Sequence, residues 1–424
     1  MNLKKKIFII IIFIVITVLL QNTVFAEELN IYSPTAVLMD ANSGEILYDK
    51  FSGYPMFPAS TTKVLTAIIA IENSNLDDKV TANPDAVNSI KSGYTNANIQ
   101  PGETLTMRDL LYALLLKSAN EAANIIAEHI SGSVDNFAVL MNEKASEIGC
   151  KTTHFINANG IHNDDHYTTA EDLAIITRYA MQNKTFRKIF CAKEYTLPAT
   201  EQYPSDDRIL KNTNSLMHSD SPYYYPYAIA GKTGFTTQAK NCLICVSQKD
   251  GLELISVVLH AESTEDGKSA RYQDTLTLLE YGNNNYTSHT ILDKNAIVNT
   301  IEIDNASKET KKLNIIAENR LAVTVPNIDK PDLSQLKITI DNNIQAPITK
   351  GTAVGTATFS LYNHTYTTNL IAETDVELPA PDVPEQTKNI PTIDFIVLGI
   401  VIIAIIIFVV LKNRVIILRL NSGD

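Results

Sequence analysis

The sequence predicts an α+β fold, an α/β sandwich, followed by a small all-β domain. Three observations lead there. Strand-like segments stand at both ends of a helix-rich block, which is the order that closes an antiparallel sheet under helices. The segment PMFPASTTKVLTAIIAIE, residues 55–72, contains a stretch that is apolar all round, as a helix in the middle of a domain must be. Beyond residue 286 the texture changes to alternating Thr, Val and Ile, the pattern of half-buried strands.

Taken in order, the first 26 residues have the layout of a secretory signal peptide. Lys4, Lys5 and Lys6 precede an apolar core from Ile7 to Leu20, and Val24 and Ala26 offer a small-residue cleavage site. An uncleaved anchor is the alternative. The stretch 30–285 reads as one catalytic domain. Ala36 to Asp40 and Glu45 to Tyr48 form a hairpin around Asn42-Ser43-Gly44. The apolar helix comes next. Thr106 and Asp109 form a capping box before LLYALLLK. SANEAANIIAEHISG ends near Gly132. SVDNFAVLMNEKASEIG starts on Ser133 and stops at Gly149. TTAEDLAIITRYAMQN is a fourth helix. YAIAGKTGFT, NCLICVSQ and LELISVVLH are strands, the last two joined by a KDG turn, and ARYQDTLTLLEYG is the closing helix.

Residues 287–378 are expected to be all-β. Residues 379–392, with Pro379, Pro381, Pro384 and Pro391, form an extended spacer. Residues 393–411 read as a transmembrane helix. The run from Phe395 to Leu411 is apolar, and Lys412, Arg414 and Arg419 behind it place the C-terminus in the cytoplasm. The chain is thus expected to be exported and anchored in the cell membrane, with its catalytic domain on the extracytoplasmic side.

Composition narrows the function. With 424 residues and a formal charge of −12, the chain lacks the clustered Lys and Arg that nucleic-acid binding requires, so no nucleic-acid partner is expected. Four cysteines are present: Cys150, Cys191, Cys242 and Cys245. Cys242 and Cys245 form a C-x-x-C, but residues three apart on a strand face opposite sides. They read as small buried hydrophobes, and no metal or cofactor site is expected.

Three short motifs carry the candidate chemistry. Ser60 and Lys63 lie one turn apart at the head of the apolar helix, where a desolvated amine can act as base for a hydroxyl. Taken alone, the pair is also what an N-cap and a surface lysine look like. Ser118 and Asn120, in KSANEAA, can relay a proton and bind a carbonyl. Ser118 with Glu121 is equally a capping box. Lys232, Thr233 and Gly234, in AGKTGFTT, can hold a carboxylate beside a strand edge that accepts an extended peptide, or they can be a hairpin turn.

In this order, S-x-x-K, S-x-N and K-T-G are the signature of penicillin-binding proteins and class A β-lactamases. With AVLMDANSGEILY, THFINANGIHNDDHYTTAEDLA and NTNSLM, the chain resembles the low-molecular-weight penicillin-binding proteins, D-alanyl-D-alanine carboxypeptidases, from Pro34 to about Gly282. The resemblance implies their transpeptidase-type fold and no cofactor. It implies peptidoglycan stem peptides ending in D-Ala-D-Ala as substrates and β-lactams as inhibitors. It makes Ser60 the nucleophile, Lys63 its base, and Ser118 and Asn120 the relay and substrate contacts. Lys232 would sit beside Ser118, Thr233 and Arg271 would serve the terminal carboxylate, and the amides of Ser60 and Phe235 would form the oxyanion hole beside Gly234. Relatives often carry His or Tyr where Phe235 stands. Two rivals remain open. A β-lactamase would need a Glu-activated water, which has no clear counterpart after SAN. The other is a non-catalytic β-lactam receptor, which would be expected to carry a cytoplasmic signalling domain, or a wall-binding module; the intact S-x-x-K with K-T-G favours an enzyme over both.

Overall fold

The computed structural model describes residues 29–264, 267–361, 364–379 and 393–420, the last segment with side chains from 397 to 412. The signal-peptide reading and nearly all of the proline-rich spacer lie outside the described residues.

The chain opens with β1 (Thr35–Asp40) and β2 (Ile46–Lys50). A tight 3-10 turn, Ala59–Thr62, leads into α1 (Lys63–Asn73). The small hairpin of β3 (Lys79–Thr81) and β4 (Thr104–Thr106) precedes α2 (Met107–Tyr112), α3 (Asn120–Ser131) and α4 (Val134–Glu147). Then come α5 (Ala170–Gln182), α6 (Lys184–Phe190) and the short pair β5 (Glu194–Thr196) and β6 (Ile209–Lys211). Strands β7 (Ala228–Thr236), β8 (Lys240–Lys249) and β9 (Leu252–Ala261) return to the main sheet, and α7 (Ala270–Asn285) closes the domain.

The main sheet has the order β2-β1-β9-β8-β7 and is antiparallel throughout. It is the sandwich the sequence predicts. On one face it packs the large core that contains Val64 to Ala70 of α1, all buried. On the other it packs Leu278 and Leu279 of α7. Period-2 alternation divides β8 between the two: Cys242 joins the first core and Cys245 the second, both as buried free thiols. β7 is an edge strand, so one side of its backbone is open to a peptide.

Local signals survive in the fold. The Thr106 hydroxyl accepts from Asp109 N while the Asp109 carboxylate accepts from Thr106 N, and Ser133 caps α4. The Ser118–Glu121 capping box that the local pattern also allows does not form. Ser118 is left-handed, with φ 65°, and Ala119 stands at the N-cap without a side-chain bond. Glu121 turns instead to the Ala97 amide, 2.5 Å away.

The C-terminal domain is all-β. It comprises β10 (Tyr286–Leu292), β11 (Ile297–Glu302), β12 (Lys312–Ala317), β13 (Leu321–Pro326), β14 (Leu336–Ile340), β15 (Ala353–Leu361) and β16 (His364–Ala372). Five of these form the sheet β11-β12-β16-β15-β14, and β10 pairs with β13. A buried hydrogen bond of 2.6 Å from Thr324 Oγ1 to Asp40 Oδ2 ties it to the first domain.

The tail departs from expectation. Helix α8 runs Ile393–Leu420, yet among the described residues no helix is long and apolar enough to cross a membrane. The transmembrane span expected at residues 393–411 is thus not supported. Within α8, the large apolar side chains from Val397 to Leu411 are exposed rather than packed on either domain.

Candidate active site

Ser60 sits on the 3-10 turn that feeds α1, and Lys63 is the first residue of that helix. Lys63 has no exposed surface. Its Nζ lies 2.8 Å from Ser60 Oγ, 2.9 Å from Asn120 Oδ1 and 2.5 Å from the carbonyl oxygen of Asn159. The last two can only accept, so they take the two protons of a neutral amine. The lone pair then faces the Ser60 hydroxyl, which is the arrangement a base requires. Burial holds Lys63 well below the ordinary lysine range, and the charge of Lys232 lowers it further, against an opposing pull from Glu121.

A second serine–lysine pair stands opposite. Lys232, also fully buried, donates to Ser118 Oγ at 2.8 Å and to the Thr233 carbonyl at 2.9 Å. Burial, then the neighbouring Arg271, lowers it to about 7. The left-handed turn at Ser118, at the end of the π-helical turn Ala113–Lys117, swings its hydroxyl out of a capping role and toward that amine.

Both pairs open into one cleft of about 670 Å³, lined by Ser60, Ser118, Asn120, Thr233, Gly234, Phe235 and Arg271 among others. The structure thus brings every sequence-predicted site residue together, with Lys63 and Lys232 behind the cleft wall. Gly234 is favoured by close approach: a Cβ there would stand 3.1 Å from Ser60 N and 3.0 Å from Pro58 O. This places the β7 backbone against the Ser60 amide. Phe235 is 63% exposed at the rim. Thr233 Oγ1 is 2.6 Å from Thr213 Oγ1. The Arg271 Nε is buried and has no hydrogen-bond partner among the described residues.

Sequence reasoning assigned no role to several residues that build this site. Asn159 holds Lys63. Gly160, at φ 80°, packs directly on the Ala59 carbonyl. His166 buttresses the nucleophile turn. Its Nδ1 accepts from Ile156 N, so Nε2 carries the proton and donates to Thr62 Oγ1, 2.9 Å away, and that hydroxyl donates to Ala59 O. Burial lowers His166 to about 3, which keeps it neutral in this role. Thr213, Tyr94 and Thr95 complete the cleft wall. The one signal for the first two was the stretch NANGIH, whose Asn159 lies 96 residues from the lysine it helps to hold.

Comparison with known proteins decides the lineage. The family model described as D-alanyl-D-alanine carboxypeptidase matches residues 22–263, more than half of the chain. The chain belongs to the D-alanyl-D-alanine carboxypeptidase family. A second model, the C-terminal domain of penicillin-binding protein 5, matches residues 286–378, the all-β unit. The Bacillus subtilis D-alanyl-D-alanine carboxypeptidase DacF is 30% identical over 336 residues, covering 78% of this chain and 82% of the relative. A D-alanyl-D-alanine carboxypeptidase of a Streptomyces species is 35% identical over 257 residues, covering 58% of this chain and 84% of the relative. Among solved structures, penicillin-binding protein 5 from Haemophilus influenzae superposes with a TM-score of 0.58 at 26% identity, covering 82% of this chain and 98% of that one. In this family member, the S-x-x-K, S-x-N and K-T-G motifs are the three walls of one cleft.

Proposed function

We propose that this family member is a serine-type D-alanyl-D-alanine carboxypeptidase that removes the terminal D-alanine from peptidoglycan stem peptides and is acylated by penicillins. The observation that carries the reading is the pairing of two buried lysines with two serines, each at 2.8 Å, on one cleft.

Lys63 Nζ takes the Ser60 proton as Oγ attacks the carbonyl carbon of the penultimate D-alanine. The resulting oxyanion is held by the amides of Ser60 and Phe235. Collapse breaks the C–N bond. The leaving amine takes a proton back from the lysine side of the site, with Ser118 and Lys232 as the relay, and D-alanine departs. An ester remains on Ser60. Water, deprotonated by Lys63 Nζ, cleaves that ester, frees the shortened peptide as its carboxylate and regenerates the Ser60 hydroxyl. Asn120 holds the substrate carbonyl, and Thr233 and Arg271 hold the terminal carboxylate.

The test pairs two measurements on the protein. A peptide ending in Lys-D-Ala-D-Ala should release free D-alanine, and a fluorescent penicillin should label the wild type but not Ser60→Ala. Labelling that survives the substitution removes Ser60 as nucleophile. Rapid nitrocefin turnover without D-alanine release would favour a β-lactamase, and labelling without either turnover a receptor.

We also propose export by the N-terminal leader and membrane attachment through the C-terminal apolar helix. Support comes from the basic–apolar–small layout of residues 1–26 and the exposed apolar side chains of α8. Carbonate extraction at high pH tests the attachment, and release of the intact chain into the soluble fraction refutes it.

A further inference from the structure

The tyrosine-rich segment SPYYYPYA, residues 221–228, has no place in the chemistry above, yet it leads directly into the K-T-G strand. Two rings connect it to Arg271. The Tyr223 ring stacks on the Tyr272 ring with centroids 4.7 Å apart and planes 28° from parallel. The Arg271 guanidinium lies over the Tyr272 ring, 4.8 Å from its centroid, in the geometry of a cation–π contact. Tyr272 is buried, at 4% exposure.

Both hydroxyls are anchored as well. The Tyr223 oxygen accepts from the Ser269 amide at 3.1 Å, and Ser269 is the residue from which α7 starts. Ser269 itself makes no side-chain cap, so Tyr223 supplies a partner to an amide that the helix start leaves open. The Tyr272 hydroxyl donates to the Thr213 carbonyl at 3.4 Å, and the Thr213 side chain meets Thr233 at 2.6 Å. The stack therefore touches the helix start, the guanidinium and the Thr213–Thr233 pair. Of these, Arg271, Thr213 and Thr233 line the cleft.

An arginine side chain free to rotate loses rotamer entropy whenever it fixes an anion. Here one face of the guanidinium is already covered by an aromatic ring, and its Nε is buried without a partner among the described residues. The remaining N–H groups are thereby aimed before substrate arrives.

We propose that Tyr223 and Tyr272 are positioning residues that preorganise Arg271 and the Thr213–Thr233 pair as one carboxylate receptor. The proposal rests on the reading of Arg271 as an anchor of the terminal carboxylate. The stack does not touch the reacting atoms, so its effect belongs to substrates that carry the carboxylate, and to KM more than to kcat.

The experiment uses an acyl-peptidyl thioester with a free terminal carboxylate and the same thioester capped as its methyl ester, assayed on the full chain. Wild type should prefer the free acid. Arg271→Gln should lose that preference, and failure of this control overturns the anchor reading itself. Tyr272→Leu and, on the outer ring, Tyr223→Leu should each lower kcat/KM for the free acid about tenfold, mainly through KM, and leave the capped ester within twofold of wild type. Tyr272→Phe keeps the ring and should restore most of the preference. Equal losses on both thioesters for Tyr223→Leu would make the stack merely structural. Unchanged selectivity in the Leu variants, with Arg271→Gln deficient, would overturn the positioning role while leaving the anchor intact.

Discussion

Substituting Gly160 with Ala should disable acylation without touching any group that reacts. A Cβ built there stands 1.9 Å from the Ala59 carbonyl oxygen, where real Cβ contacts stop at about 3.0 Å, so one backbone must retreat by about 1.1 Å. Neither side yields freely. Ala59 immediately precedes Ser60, and its carbonyl is held by Thr62 Oγ1, itself held by His166. Asn159, on the other side, is a hydrogen-bond acceptor for Lys63. The displacement therefore separates nucleophile from base. A misplacement of about 1 Å costs on the order of 100-fold in rate. The left-handed conformation, φ 80°, adds about 1–2 kcal/mol of strain for a residue with a Cβ. The assay is the rate of covalent labelling by a fluorescent penicillin, read beside a urea denaturation curve. Labelling within twofold of wild type, with unchanged stability, would refute the argument that this contact sets the Ser60–Lys63 geometry.

Other outcomes follow from the same contacts. Lys63→Arg should cut the labelling rate by at least about 100-fold, because a guanidinium does not give up its proton and cannot serve as the base. Lys232 is lowered to about 7, below its ordinary value of 10.5, so between those values the unfolded chain binds the proton that the folded chain has shed. Stability from this group therefore rises with pH across that window. The advantage of wild type over Lys232→Met should grow from pH 7 toward 10 in denaturant titrations, and a flat difference would contradict the shift. Arg208 and Glu103 form a buried bidentate pair at 2.6 and 3.1 Å. Glu103→Ala, which strands the guanidinium, should cost about 3–5 kcal/mol by urea denaturation.

The order of elements was readable from the sequence because each depends on near neighbours. The apolar run of α1 has no polar face, so it had to be buried wherever it lay. Thr106 with Asp109 and Ser133 with Asn136 are contacts within one turn, and both formed as read. The alternation of β8 put Cys242 and Cys245 on opposite faces without knowledge of the partner strands. The motif order located Ser60, Lys63, Ser118, Asn120 and Lys232, and these converge on one cleft.

The Ser118–Glu121 box failed for an instructive reason. The local pattern was sound, but two tertiary bonds outweigh it: Lys232 holds Ser118 from 114 residues away, and the Ala97 amide holds Glu121. In the tail, an apolar run was legible from composition, whereas no helix among the described residues is long and apolar enough to cross a membrane.

What the sequence determined by itself was therefore the set of reactive groups, the local elements that carry them and the lineage those motifs express. What only the tertiary structure decided was their chemistry. An amine becomes a base because burial removes water from its charged form and a second amine lies near it. Both conditions are created by packing segments such as 60–63, 118–121, 159–160 and 232–235 against one another, and no local pattern encodes that distance.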